Sequence, residues 1–221
     1  MLFLDELAEF PGAVLDDLRQ PLEEGRVVVC RASATIVFPA RFMLVGAMNA
    51  CRCGGDGSPG SCRCPEAARA RYAARLSGPL LDRFDLRVRV CRPGVEDLLS
   101  VDRGRLPEAA REPSRSVAER VMRARQRACD RGVRCNAEVP AEALDRFGPL
   151  SPAARRLLER RLREGRLSAR GLVRVRRVAL TLSDLAKCDG PLSEDHVLMA
   201  LALRSPGPFG PEGDDETGLS R

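Results

Sequence analysis

Leu2-Phe3-Leu4-Asp5-Glu6 follows Met1, and Phe42-Met43-Leu44-Val45-Gly46-Ala47-Met48, followed by Asn49, answers it further on. An apolar run that stops abruptly at two carboxylates reads as a strand delivering acids to the edge of a sheet. The unbroken apolar run Phe42–Met48 suits a strand buried on both faces. Between them, Val14, Leu15, Leu18 and Leu22 fall at helical spacing over Gly12–Glu24, and Gly25 supplies the stop. Val27–Cys30 and Thr35–Phe38 are β-rich runs around the polar turn Arg31-Ala32-Ser33-Ala34, which predicts a hairpin. Strand, helix, hairpin and strand in that order predict an α/β layer. Glu66–Leu76 reads as a helix, and the alternation of Leu86–Val90 as a further strand.

The character then changes. Residues 103–115 read as a linker, and from Ser116 onward the pattern is helical. The spacing predicts a helix from Ser116 to about Asp130, ended by Gly132. A second is capped by Ser151 with Pro152 in its first turn and stopped by Gly165. A third, long helix follows Ser168, with Leu172, Val175, Val178, Ala179, Leu182 and Leu185 along one face. The last opens at Ser193-Glu194-Asp195, with acids at its positive end. The tail from Ser205 is rich in Pro, Gly and acid, a composition that favours disorder. The expected organisation is 1–102, a linker over 103–115, a helical region over 116–204 and a tail over 205–221.

Aromatic residues make up only 4% of the 221, with one tyrosine and no tryptophan, so Leu, Val and Ala must build the core. No apolar run reaches the length of a membrane span, and the acidic opening is unlike a signal peptide, which predicts a cytoplasmic protein with no membrane partner. The net charge of +6 is compatible with a nucleic-acid partner. Lys187 is the sole lysine, however, and an Arg-for-Lys skew of this kind also follows from a GC-rich genome.

Four stretches carry chemistry. Asp5 could hold Mg²⁺ through its water shell and Glu6 polarise an attacking water. Asn49, a neutral amide at a strand end, could bond a γ-phosphate. Arg83, in Ser77-Gly78-Pro79-Leu80-Leu81-Asp82-Arg83-Phe84-Asp85, could neutralise a transferring phosphoryl group. Cys51-x-Cys53 and Cys62-x-Cys64 offer four thiolates for a closed tetrahedral Zn²⁺ site, or remain unliganded thiols. The odd total of nine cysteines argues against a complete disulfide framework. His196, the only histidine, reads as a surface residue rather than a ligand.

Taken together, LFLDELAEF, LRQPLEEGRV, the hairpin ending in FPARF, LVGAMNACRCG and LSGPLLDRFDL resemble the magnesium-chelatase-like AAA+ ATPases, above all the ComM/YifB-type branch. The match resumes at Ser168-Ala169-Arg170 and at Leu182–Ala186. The resemblance implies an α/β fold, a partial AAA+ P-loop NTPase core with a β-hairpin insert, followed by an all-α helical lid. It implies that Asp5 and Glu6 are the Walker B pair, Asn49 sensor 1, Arg83 an arginine finger acting across a subunit interface and Arg170 the sensor 2 arginine. Asp5, Asn49 and Arg170 would then touch ATP and its Mg²⁺. The hairpin would line a pore, with Arg31 near its tip contacting DNA phosphates. The family assembles as rings, typically hexamers. Where this branch usually has Pro, this chain has Ala50 and Arg52.

No G-x-x-x-x-G-K-[ST] occurs in the 221 residues. The expectation is therefore the C-terminal part of a ring-forming ATPase, a DNA translocase or helicase of the ComM type that needs a P-loop from elsewhere. A magnesium-chelatase-type motor for porphyrin metal insertion and a non-catalytic, partner-binding remnant are the alternatives.

Overall fold

The computed structural model describes residues 1–55, 62–90 and 112–204. They form two compact units, one over Met1–Phe84 and one over Asp85–Ser205. The expected tail, residues 103–111 of the expected linker and residues 56–61 of the Gly-rich loop lie outside the described residues.

In the first unit, β1 (Leu2–Leu4) pairs in parallel with β4 (Leu44–Gly46), in the register Leu2↔Leu44 to Leu4↔Gly46. The reading of Phe42–Met48 as a strand buried on both faces needs correction. Only its central three residues are strand, and Val45 is exposed. Among the described residues β1 is the only strand bonded to β4. The single helix expected over Gly12–Glu24 is two, α1 (Gly12–Asp17) and α2 (Arg19–Glu24). Pro21 explains the break: it has no N–H to give the Asp17 carbonyl, and its ring crowds that turn. Gly25 ends α2 in the left-handed region at φ 66°, with its N–H on the Pro21 carbonyl at 2.9 Å.

The hairpin forms in the expected place from β2 (Arg26–Arg31) and β3 (Ala34–Pro39), pairing Val27 with Phe38 and Val29 with Ile36. Both strands extend further than their apolar runs, so the connection is only Ala32-Ser33. Every residue of β2 and β3 is exposed, although Val27, Val29, Ile36 and Phe38 share one face and Val28 and Val37 the other. After the cysteine loop come α3 (Glu66–Ala73), shorter than expected, and α4 (Gly78–Leu81). The Ser77 hydroxyl caps α4 by accepting the Leu80 N–H at 3.3 Å. Leu7, Leu15, Leu76 and Leu80 form a small core, joined by Leu4, Met48 and Phe84.

The second unit contains α5 (Ser114–Asp130), α6 (Leu144–Phe147), α7 (Pro152–Arg163), α8 (Ala169–Leu185) and α9 (Glu194–Ala202). α5 begins two residues before Ser116, behind Pro113, so residues 114 and 115 are helix rather than linker. Ser151, Ser168 and Ser193 cap α7, α8 and α9 as the sequence indicates. His196 is no bare surface residue: its Nδ1 accepts the Ser193 N–H at 3.2 Å and completes a capping box. Leu86–Val90 is not a strand. Leu86, Val88 and Val90 are exposed, and the Arg87 N–H bonds the Leu203 carbonyl at 2.6 Å. Alternation describes a face, and a strand also needs a neighbour, which no described strand provides here.

Twelve buried residues, among them Leu144, Leu158, Val175, Leu180, Leu192 and Val197, make one core in this unit. Beside it, the buried carboxylate of Asp184 accepts from Arg127 Nε at 3.1 Å, Arg131 Nη1 at 2.7 Å and Asn136 Nδ2 at 2.8 Å. Burial alone would raise this carboxyl's pKa. The Arg131 and Asn136 hydrogen bonds and the two arginine charges outweigh burial and hold it below the usual carboxylate range.

Candidate functional site

The parallel pairing of β1 and β4 brings two of the expected site segments to one edge. Ala47 donates its N–H to the Leu4 carbonyl at 2.9 Å, and the Leu7 N–H returns to the Ala47 carbonyl at 2.8 Å. Asp5 and Glu6 therefore leave β1 level with Ala47, and Asn49 follows two residues beyond it, past the end of β4. All three are exposed. Glu6 sits in the left-handed region (φ 49°, ψ 43°), and the Asp5 carboxylate accepts its N–H at 2.9 Å. A non-glycine residue held there is strained, and such strain concentrates at functional turns.

Arg83 lies in the same unit but is turned inward. Its side chain is 10% exposed, with Nη2 on the Glu23 carboxylate and Nη1 on the Pro79 carbonyl, each at 2.5 Å. An arginine reaching for a neighbouring subunit would have to exchange Glu23 for phosphate. Arg31 is exposed at the end of β2, beside the Ala32-Ser33 turn. Arg170 is exposed in the first turn of α8, in the helical unit.

The four cysteines of the paired motifs converge. Their Sγ atoms all lie within 4.8 Å of one another, with Cys51–Cys62 and Cys53–Cys62 each at 3.3 Å. A tetrahedral zinc with Zn–S bonds near 2.3 Å puts its sulfurs about 3.8 Å apart, which this cluster brackets. Cys51 is buried, Cys62 and Cys64 half-buried and Cys53 exposed. The Cys53 backbone N–H and the Cys62 thiol pull the Cys51 thiol down to about 7. The Cys51, Cys62 and Cys53 thiols push Cys64 up to about 12. For Cys62, the Cys64 N–H works to lower the pKa, but Cys51 and Cys53 together raise it. One thiolate forms readily at neutral pH and makes the next ones costly, a conflict that a divalent cation removes. The residues present fit a thiolate-bound metal.

Sequence reading overlooked Tyr72 and Arg75. Arg75 Nη1 donates to the Ala8 carbonyl at 2.7 Å and to Glu9 Oε2 at 2.9 Å. In so arginine-rich a chain, nothing distinguishes Arg75 by type. The partners of Asp184 were equally hidden, since Arg127, Arg131 and Asn136 lie about 50 residues before it in the chain.

Residues 1–98 match the family described as magnesium chelatase, subunit ChlI, and residues 111–204 match that subunit's C-terminal family. The chain belongs to the magnesium-chelatase-like family. Curated relatives of this magnesium-chelatase-like chain include an uncharacterized Mycobacterium tuberculosis protein, 41% identical over 211 residues. Others are the competence protein ComM of Haemophilus influenzae, 38% identical over 206 residues, and YifB of Escherichia coli, 36% identical over 205. The alignments cover 94%, 93% and 93% of this chain but only 40%, 39% and 39% of those proteins. The chain thus spans about two fifths of the length of these relatives. Among the described residues no helix is long and apolar enough to cross a membrane.

Proposed function

We propose that this chain is part of a ring-forming AAA+ ATPase that couples ATP hydrolysis to movement on DNA. The supporting observation is the shared edge of β1 and β4, where two acids, one in a strained turn, leave β1 level with Ala47, two residues before a neutral amide. In that reading Asp5 holds Mg²⁺ through water, Glu6 orients the attacking water and Asn49 bonds the γ-phosphate. Arg83 and Arg170 supply positive charge to the phosphoryl group, Arg83 from a neighbouring protomer of a hexamer. The P-loop comes from a region outside these 221 residues. Arg31 touches DNA phosphates at the hairpin tip, a reading supported by its exposure beside the turn. The four thiols hold one zinc ion. Zinc has no redox chemistry of its own and would serve as structure.

The test is the native protein isolated from its source cells. An intact mass well above 24.1 kDa, with peptides containing a P-loop, is expected. In that protein Glu6→Gln should slow ATP hydrolysis about 100-fold or more while ATP still binds. A native mass of 24.1 kDa without ATP binding would replace the motor with a partner-binding remnant. Unchanged hydrolysis in Glu6→Gln would remove the role of the β1 edge.

A further inference from the structure

One helix links the thiol cluster to the acidic turn. α3 starts at Glu66, two residues after Cys64, carries the buried Tyr72 and leads into Arg75. Arg75 grips Ala8 and Glu9, the backbone that follows Glu6. At the other end of the loop, Cys51 lies two residues past Asn49, and the Gly54 N–H closes a turn on the Cys51 carbonyl at 3.0 Å. Tyr72 records this convergence. Burial raises its hydroxyl pKa first, then the charge of Glu9, against an opposing pull from Arg75, with Cys51 and Glu6 adding smaller pushes.

We propose that a single zinc ion on Cys51, Cys53, Cys62 and Cys64 fastens the β1–β4 edge, and that Arg75 is the positioning residue carrying this hold from α3 to the Asp5–Glu6 turn. The proposal rests on the zinc reading above. The chain between the end of β4 and the start of α3 includes Gly54, Gly55, Gly57 and Gly60, and closing it without a metal costs entropy. Four Zn–S bonds close that loop and set α3 against the end of β4. The Arg75 contacts then hold the turn after Glu6, and Asn49 is held directly through Cys51. The fastening thus has two arms, a covalently short one through Cys51 and a longer one through the Arg75 guanidinium, which acts beside the Leu7 N–H bond to the Ala47 carbonyl.

Hydrogen exchange of the full 221-residue chain, loaded with zinc or stripped by a chelator, separates the arms. Stripping should speed exchange about tenfold or more in residues 5–9 and 47–55 and leave 169–185 unchanged. Arg75→Ala should retain one zinc per chain and slow exchange at 47–55, while 5–9 exchanges fast whether or not zinc is bound. Glu9→Gln, a milder change at the same contact, should do the same to a smaller degree. Tyr72, the only tyrosine in a chain without tryptophan, should change its fluorescence as zinc binds. One zinc bound with no difference at 5–9 would overturn the fastening and leave the metal site standing. So would zinc-dependent protection at 5–9 that survives in Arg75→Ala. A chain that takes up no zinc and leaves all four thiols open to alkylation would overturn the metal reading itself, and this proposal with it.

Discussion

The two units are held together by different means. The helical unit gathers twelve buried residues into one core, whereas the N-terminal unit gathers four around a sheet of two three-residue strands. Sheets that small are not stable alone. The N-terminal unit leans instead on discrete ties: Ser77 on Asp16 at 2.8 Å, Arg75 on Ala8 and Glu9, Arg83 on Glu23, and the thiol cluster. The comparison teaches that the unit carrying the acidic edge is the less self-supporting one. Local order there depends on individual side chains, and in the helical unit on volume.

Four measurements would break or sharpen this contrast. The largest effect belongs to zinc. At a thousandfold excess over its dissociation constant, zinc should stabilise the N-terminal unit by about 4 kcal/mol and leave the helical unit's melting unchanged. Because Cys64 is held up at about 12, loading at pH 7 should release protons, and affinity should fall as pH drops. A melting shift of equal size in both units would erase the distinction. Next is Leu158→Ala, which should cost the helical unit about 3 kcal/mol in calorimetry without loosening the β1–β4 edge.

Asp184→Ala comes third, at about 2–3 kcal/mol, because it strands two partly covered arginines. Its pH signature has a definite sign. The carboxyl's folded pKa is depressed, so its contribution is present above the ordinary carboxylate pKa and lost as pH falls through the lower, folded value. Wild-type stability should drop in that acid window, and the variant's should drop less. Ser193→Ala should cost about 1 kcal/mol by removing the cap of α9, seen as faster exchange in its first turn.

Much of the helical unit was legible because capping chemistry is local: Ser151, Ser168 and Ser193 each announce a helix within four residues. The hairpin was legible for a similar reason. What failed was whatever depended on a neighbour. Leu86–Val90 has the alternation of a strand and, among the described residues, no strand beside it. Phe42–Met48 has the composition of a covered strand, yet Val45 is exposed among the described residues. The break at Leu18 was readable from Pro21, whose missing donor the apolar spacing concealed. Of the expected site residues, Asp5, Glu6 and Asn49 are brought to one edge by strand register. Arg83 is tied to Glu23, a contact across 60 residues of chain that no spacing rule reveals. The cysteine pairs were visible by type, but their link through Tyr72 and Arg75 exists only in three dimensions.

The hairpin has a consequence of another kind. Most half-buried strands encode their register in alternation, since a slip by one residue turns the apolar side outward. β2 and β3 are apolar on both sides, so a slip would exchange one greasy face for another at little cost. Register is left to the turn, and Ala32-Ser33 has neither residue at positive φ, as the twist-matched two-residue turns require. This ribbon carries no internal ruler. Asn-Gly in place of Ala32-Ser33 would give it one, and a hairpin so pinned would show how far misaligned pairing, rather than unfolding, limits the yield of the folded chain.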